Sequence, residues 1–157
     1  MAKTLQLIKD FCRYDFGERD GEKALSFLTD DIKWIGTSDH EDVVGIEEAR
    51  EYVNTEIEEM PMPYKLSLTE GSETSLGNGS GIAFVRVKFE NEGVTSYIRI
   101  TCTSRLDAGE EKICAMHFSV ADDKQLEGEF FPVTKGKAEI ARERNELVMS
   151  TMQGGMV

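Results

Sequence analysis

Histidine, cysteine and tryptophan are scarce in this 157-residue chain, and positive charge is outnumbered: there are two histidines, three cysteines and one tryptophan, and 18 Lys+Arg stand against 30 Asp+Glu. Two histidines, His40 and His117, do not build the clustered ligand sets of a zinc centre. The one local run, Asp39-His40-Glu41-Asp42, joins adjacent loop residues and lacks the spacing and glycine of a calcium loop. Neither a metal nor a cofactor is expected. Cys12, Cys102 and Cys114 are odd in number and form no CxxC pair, so free thiols in a reducing cytoplasm are expected rather than a disulfide framework. No apolar run approaches the roughly 18–20 residues of a membrane span, and Met1-Ala2-Lys3-Thr4 leads into an amphipathic stretch, not a secretory leader. The net charge of −12 repels phosphate backbones and anionic lipid surfaces, which argues against both as partners. Gly77-Asn78-Gly79-Ser80-Gly81 has no following Lys-Ser/Thr and reads as a turn, not a phosphate cradle. There is no nucleophile elbow.

What is present is an ordinary globular composition, 39% apolar and 31% charged, in a length that suits one domain with a full core. Leu5, Ile8, Phe11 and Cys12 share one face of a helix over 3–16, which Gly17 stops. Asp20 is a good N-cap for a short second helix carrying Ala24, Leu25 and Leu28. The period then changes to alternation over Asp31–Gly36, followed by a polar loop and a short Val43-Val44. Gly45 opens a third helix with Ile46, Ala49, Val53, Ile57 and Met60 on one side, ended by Pro61 and Pro63. Four strands follow, over 64–75, 81–90, 94–105 and 111–120. They are joined by Gly77-Asn78-Gly79-Ser80, Asn91-Glu92-Gly93 and Asp107-Ala108-Gly109, turns that favour antiparallel hairpins. The segment 136–152 is helical. Helices first and a strand meander after give an α+β fold, with helices laid on one face of a curved antiparallel sheet.

Alternation puts Val85, Val87, Phe89, Ile98, Ile100, Cys102, Cys114, Met116, Phe118 and Val120 on the face against the helices. The opposite face carries Phe84, Arg86, Lys88, Tyr97, Arg99, Thr101, Ala115, His117 and Ser119. It is basic and aromatic in an acidic chain. Three readings fit it: a solvated sheet, a dimer interface built on Arg86, Tyr97, Arg99, His117 and Ser119, or an anion site. The dimer reading ranks first and the anion site last.

The stretch from Ala115 to Pro132 resembles the end of SnoaL-like, nuclear transport factor 2-like domains found ahead of PAS and GGDEF modules in bacterial regulators. The matching residues are His117, Ser119, Gln125, Glu129, Phe130, Phe131 and Pro132. Ala121 stands where proline is common. Ile32–Gly36 and Val44–Ala49 look like the superfamily's first strand and third helix. The resemblance covers roughly residues 3–135. It implies a cystatin-like roll, a curved sheet wrapped on N-terminal helices with a pocket in the cone, often paired as a homodimer. Its members include enzymes, binding domains and assembly domains, so the fold does not choose the function.

Residues 136–157 are expected to form a C-terminal linker helix, with Ala138, Ala141, Asn145, Val148 and Met152 at heptad-like spacing. A terminal helix packed on its own domain would give the same pattern. Leu147–Val157 resembles the opening of a PAS domain, so an output domain is expected to follow. The resemblance implies a noncatalytic sensory or dimerisation module. It would bind a small, mostly apolar molecule in a cone lined by Phe11, Trp34, Tyr52, Phe89, Met116 and Phe118. The alternative is a small acid/base enzyme, an isomerase, cyclase or dehydratase, for which His40 with Asp39, and then His117, are the weak catalytic candidates. A third class, pure structural dimerisation, predicts a cone filled with side chains.

Overall fold

The computed structural model describes residues 2–122 and 137–153. These fall in two compact units, one ending at Ala121 and one beginning at Asp122. Gln125, Glu129, Phe130, Phe131 and Pro132 of the family resemblance lie outside the described residues.

In the first unit, α1 (Thr4–Cys12) does not continue as an α-helix to residue 16. It widens into a π-helical turn over Arg13–Gly17, closed by Glu18 N–H donating to the Arg13 carbonyl and Asp20 N–H to that of Tyr14. Such π-turns are rare and concentrate at functional sites. α2 (Gly21–Leu25) begins as the sequence indicates, with the Asp20 carboxylate accepting from Lys23 N–H at 3.1 Å. Leu28, expected on that helix, instead opens β1 (Leu28–Ile35). β2 (Asp42–Val44) follows, then α3 (Ile46–Glu59), with Gly45 before it at φ +90°, a backbone conformation that glycine adopts without penalty. β3 (Lys65–Gly77), β4 (Ser80–Asn91), β5 (Val94–Asp107) and β6 (Glu110–Ser119) form the meander.

The six strands make one sheet in the order β2-β1-β6-β5-β4-β3. Every neighbouring pair is antiparallel except β1 and β6, which run parallel. That pair corrects the all-antiparallel expectation. β1 and β6 lie at opposite ends of the chain segment and are joined through α3 and the whole meander, so no hairpin dictates their direction. The meander connections are all two-residue turns, Asn78-Gly79, Glu92-Gly93 and Ala108-Gly109, with both residues at positive φ. This is the type I′ geometry that matches strand twist. Ala108, at φ +50° and exposed, is the least suited side chain of the three. Ala108→Asn is therefore expected to stabilise by about 0.5–1 kcal/mol, read as a higher urea midpoint with an unchanged slope.

α1 lies across β3 to β6, and α3 across β1 and β2, so one face of the sheet is closed over helices. The core centres on Ile8, Phe11, Ile32, Val53 and Ile113, all fully buried. The alternation reading of the faces holds along β4 and β5 but shifts in β6. A bulge between the Thr103–Ala115 and Ser104–Ile113 pairs turns Ile113 into the core and leaves Cys114 half-buried, its thiol donating to the Thr103 carbonyl. Val120, beyond the end of β6, is exposed.

In the second unit, α4 spans Lys137–Gln153, and Val148 and Met152 of the heptad-like seam are exposed in the single chain. No helix among the described residues is long and apolar enough to cross a membrane.

Candidate functional site

The open end of the roll contains a cavity of about 280 Å³. The π-turn contributes Phe16. The end of β1 and the loop after it contribute Trp34, Gly36, Thr37 and Glu41, and α3 contributes Tyr52 and Glu56 with Met60 just beyond. Tyr64 and the strand residues Phe89, Ser96, Ile98 and Phe118 complete the wall. The rings form a connected network. Trp34 meets Tyr52 edge-on at 4.9 Å and Phe118 at 5.5 Å, and Phe16 meets Phe89 at 5.1 Å and Tyr64 at 6.0 Å. Contacts of this kind add about 0.5–1.5 kcal/mol each beyond area burial, which fixes the wall.

Polar groups are set into this apolar frame. The Glu41 side chain folds back on its own loop, its carboxylate accepting from Thr37 N–H at 2.8 Å. Gly36 makes that possible, since a Cβ there would stand 2.0 Å from the Glu41 carboxylate. Glu56 pairs with Arg19 at 3.3 Å, and the Arg19 side chain is only 5% exposed. The Arg19 guanidinium also donates to the carbonyls of Asp15 and Met60, holding the C-terminal end of α3, and stacks over Tyr64 at 5.5 Å. The Trp34 indole N–H is buried with no acceptor among the described residues.

Asp15, next to Phe16 in the π-turn, is completely buried, and neither carboxyl oxygen has a hydrogen-bond partner among the described residues. Burial, and then the negative charge of Glu56, push its pKa up to about 8 against the opposing pull of Arg19. At neutral pH it therefore carries a proton. Glu56 is raised by burial and by Glu41, with Arg19 opposing. The Tyr52 phenol is raised by burial first, then by Glu41 and Glu56. Burial and neighbouring negative charge thus raise three acidic groups at this end of the first unit, two of them, Tyr52 and Glu56, on the cavity lining.

Trp34, Tyr52, Phe89 and Phe118 of the expected pocket line this cavity, while Phe11 and Met116 are buried in the core beneath it. Asp39 and His40 are exposed and off the lining, although their neighbours Thr37 and Glu41 are on it. His117 is exposed on the far side of the sheet, opposite Thr101. Asp15 and Glu56 were missed, yet the signal was in the spacing. Asp15 lies four residues after Phe11 and seven after Ile8. Glu56 lies four after Tyr52 and seven after Ala49. Each is an acid on the apolar stripe of its helix. Among the described residues no group of three or more His, Cys, Asp or Glu is arranged to hold a metal ion.

On the outer face, Arg86 and Arg99 are direct cross-strand neighbours, flanked by exposed Phe84 and Tyr97. Arg86 pairs with Glu70 at 3.2 Å, and Arg99 donates to Ser119 Oγ at 3.2 Å. A shallow depression of about 360 Å³ runs between the two arginines.

No protein-family model matches the sequence, and no curated protein matches it. Solved structures do. A nuclear transport factor 2-like protein of unknown function from Pseudomonas putida superposes with a TM-score of 0.68 at 16% identity, over 83% of this chain and 92% of the other. A ketosteroid isomerase-like protein from Erwinia carotovora atroseptica gives 0.55 at 18% identity, over 73% and 91%. The orange carotenoid protein of Anabaena, solved with canthaxanthin, gives 0.60 at 11% identity, over 76% of this chain and 36% of that one. The two-residue hairpins, the sheet closed over α1 and α3, and these superpositions together give the chain the nuclear transport factor 2-like, cystatin-like α+β fold.

Proposed function

We propose that this chain is a small-molecule-binding module of a signalling protein, acting as a homodimer, with its ligand held in the aromatic cavity. The observation that carries the reading is that cavity: about 280 Å³ at the end of the core, walled by aromatic rings and provided with a few polar groups. The solved carotenoid protein of the same fold, with its bound canthaxanthin, supports it by analogy. The partner surface would be the outer sheet face around Arg86, Tyr97, Arg99, His117 and Ser119, and binding would shift the dimer geometry that α4 carries onward.

A thermal-shift screen tests the cavity. Compounds that raise Tm should lose that effect in Ser96→Phe, which fills the space, and retention of every such compound would sink the reading. Native mass spectrometry tests the pairing: a dimer is expected that Tyr97→Glu weakens, and a strict monomer at micromolar concentration would count against it.

One observation favours a second reading, an acid/base enzyme. Asp15 is protonated at neutral pH beside Glu56 and Tyr52, and enzymes keep such buried acids as proton donors. Under that reading Asp15→Asn abolishes turnover. Under the binding reading it leaves ligand-induced stabilisation in place.

A further inference from the structure

We infer that the aromatic cavity takes a small organic cation, a quaternary ammonium or a protonated amine, in preference to a neutral or anionic molecule of the same shape. This rests on the cavity being a ligand site and adds the charge of the ligand. Among the described residues, the charged side chains on the lining are Glu41 and Glu56, and no lysine or arginine lines the cavity. The cation nearby, Arg19, is committed to the Glu56 carboxylate and to the backbone at the end of α3. It also shows what the wall accepts, because its guanidinium already lies over the ring of Tyr64 at 5.5 Å.

Around the rest of the cavity stand Phe16, Trp34, Tyr52, Phe89 and Phe118. Aromatic faces attract cations by about 0.5–1 kcal/mol when exposed and ~2 or more when water is excluded. The Glu41 carboxylate on the lining adds to that attraction and would repel an anion, while the Glu56 charge is already answered by Arg19.

Trp34 is the only tryptophan of the chain and lines the cavity, so its emission reports occupancy directly. Three probes share one branched head: choline, its neutral carbon isostere 3,3-dimethyl-1-butanol, and the anion 3,3-dimethylbutyrate. Titrated against the intact protein, choline is expected to bind at least about tenfold more tightly than the alcohol, with the carboxylate weakest. Glu41→Gln should shrink the preference for choline over the alcohol to about threefold or less. Glu41 is half-buried and is bonded to Thr37 N–H and to the Tyr52 phenol, and glutamine keeps an accepting oxygen for one of them, so the Tm of the variant is measured beside its binding. Equal or tighter binding of the alcohol or the carboxylate overturns the cation assignment and leaves the cavity as a ligand site. A Trp34 emission that answers none of the three overturns the assignment as well. The Ser96→Phe thermal-shift comparison then decides separately whether the cavity binds ligands at all.

Discussion

Asp15→Asn should make this protein more stable at neutral pH, by about 2–4 kcal/mol, and should flatten its stability profile between pH 4 and 8. Asp15 is fully buried, both its oxygens lack partners among the described residues, and burial raises its folded-state pKa to about 8. In the unfolded chain the same group titrates near the ordinary value of about 3.9. Below pH ~4 both states hold the proton and Asp15 costs nothing through ionisation. Between pH ~4 and ~8 the unfolded chain releases the proton while the folded one keeps it, so stability falls as pH rises. Above ~8 both states are ionised and the penalty stops growing. Asparagine has nearly the same shape and no such transition. Denaturant melts of both proteins at several pH values should give a stability difference that is small near pH 4 and widens toward pH 8. The groups that set this profile are Glu56 and Tyr52 of α3, Cys12 of α1, and Arg19, and none of them is altered in the comparison. A difference that stays constant with pH, or a variant less stable at pH 8 than wild type, would refute the buried-acid assignment.

Arg19→Leu is expected to cost about 3–5 kcal/mol, the range for removing one member of a buried pair. The guanidinium answers the half-buried Glu56, donates to the Asp15 and Met60 carbonyls, and stacks on Tyr64. It also sits at φ +56°, a conformation that a long side chain holds only when its contacts over-determine it. Leucine keeps the bulk and loses every one of those bonds. Chemical denaturation should show the loss directly, and Glu56→Leu on top of Arg19→Leu should recover a large part of it, because the stranded carboxylate is then gone. A single-variant cost below about 1 kcal/mol would mean that the pair is effectively solvated. Tyr64 N–H also donates to the Phe16 carbonyl at 2.9 Å, tying this end of the cavity to the π-turn. The Arg19 variant is therefore expected to weaken ligand binding along with stability.

Much of the fold was legible because it is written in local patterns. The three Gly-containing turns announced hairpins, and the Asp20 cap started α2. The alternation of Val85, Val87 and Phe89 named the buried face of β4. Four of six expected pocket residues line the cavity because large aromatic side chains on inward strand and helix positions meet where the strands converge. The sequence reading turned to His40, Asp39 and His117 by residue type, and all three are exposed. It passed over Asp15 and Glu56, whose helical phase was visible but whose apolar setting depends on what packs against each helix.

From its residues alone, the chain determined an acidic α+β domain, its element order, its hairpin turns and the apolar faces of its helices and strands. All of these follow from periodicity, glycine geometry and charge, which act over a few neighbouring residues. Only the tertiary structure decided that β1 pairs in parallel with β6, that the helix after Cys12 widens into a π-turn, and that a bulge turns Ile113 inward and leaves Cys114 half-buried. It also decided that Asp15, Arg19, Glu41, Tyr52 and Glu56 share one end of the roll. A carboxyl's ionisation depends on its dielectric surroundings and on charges brought close by folding, and no local pattern encodes either.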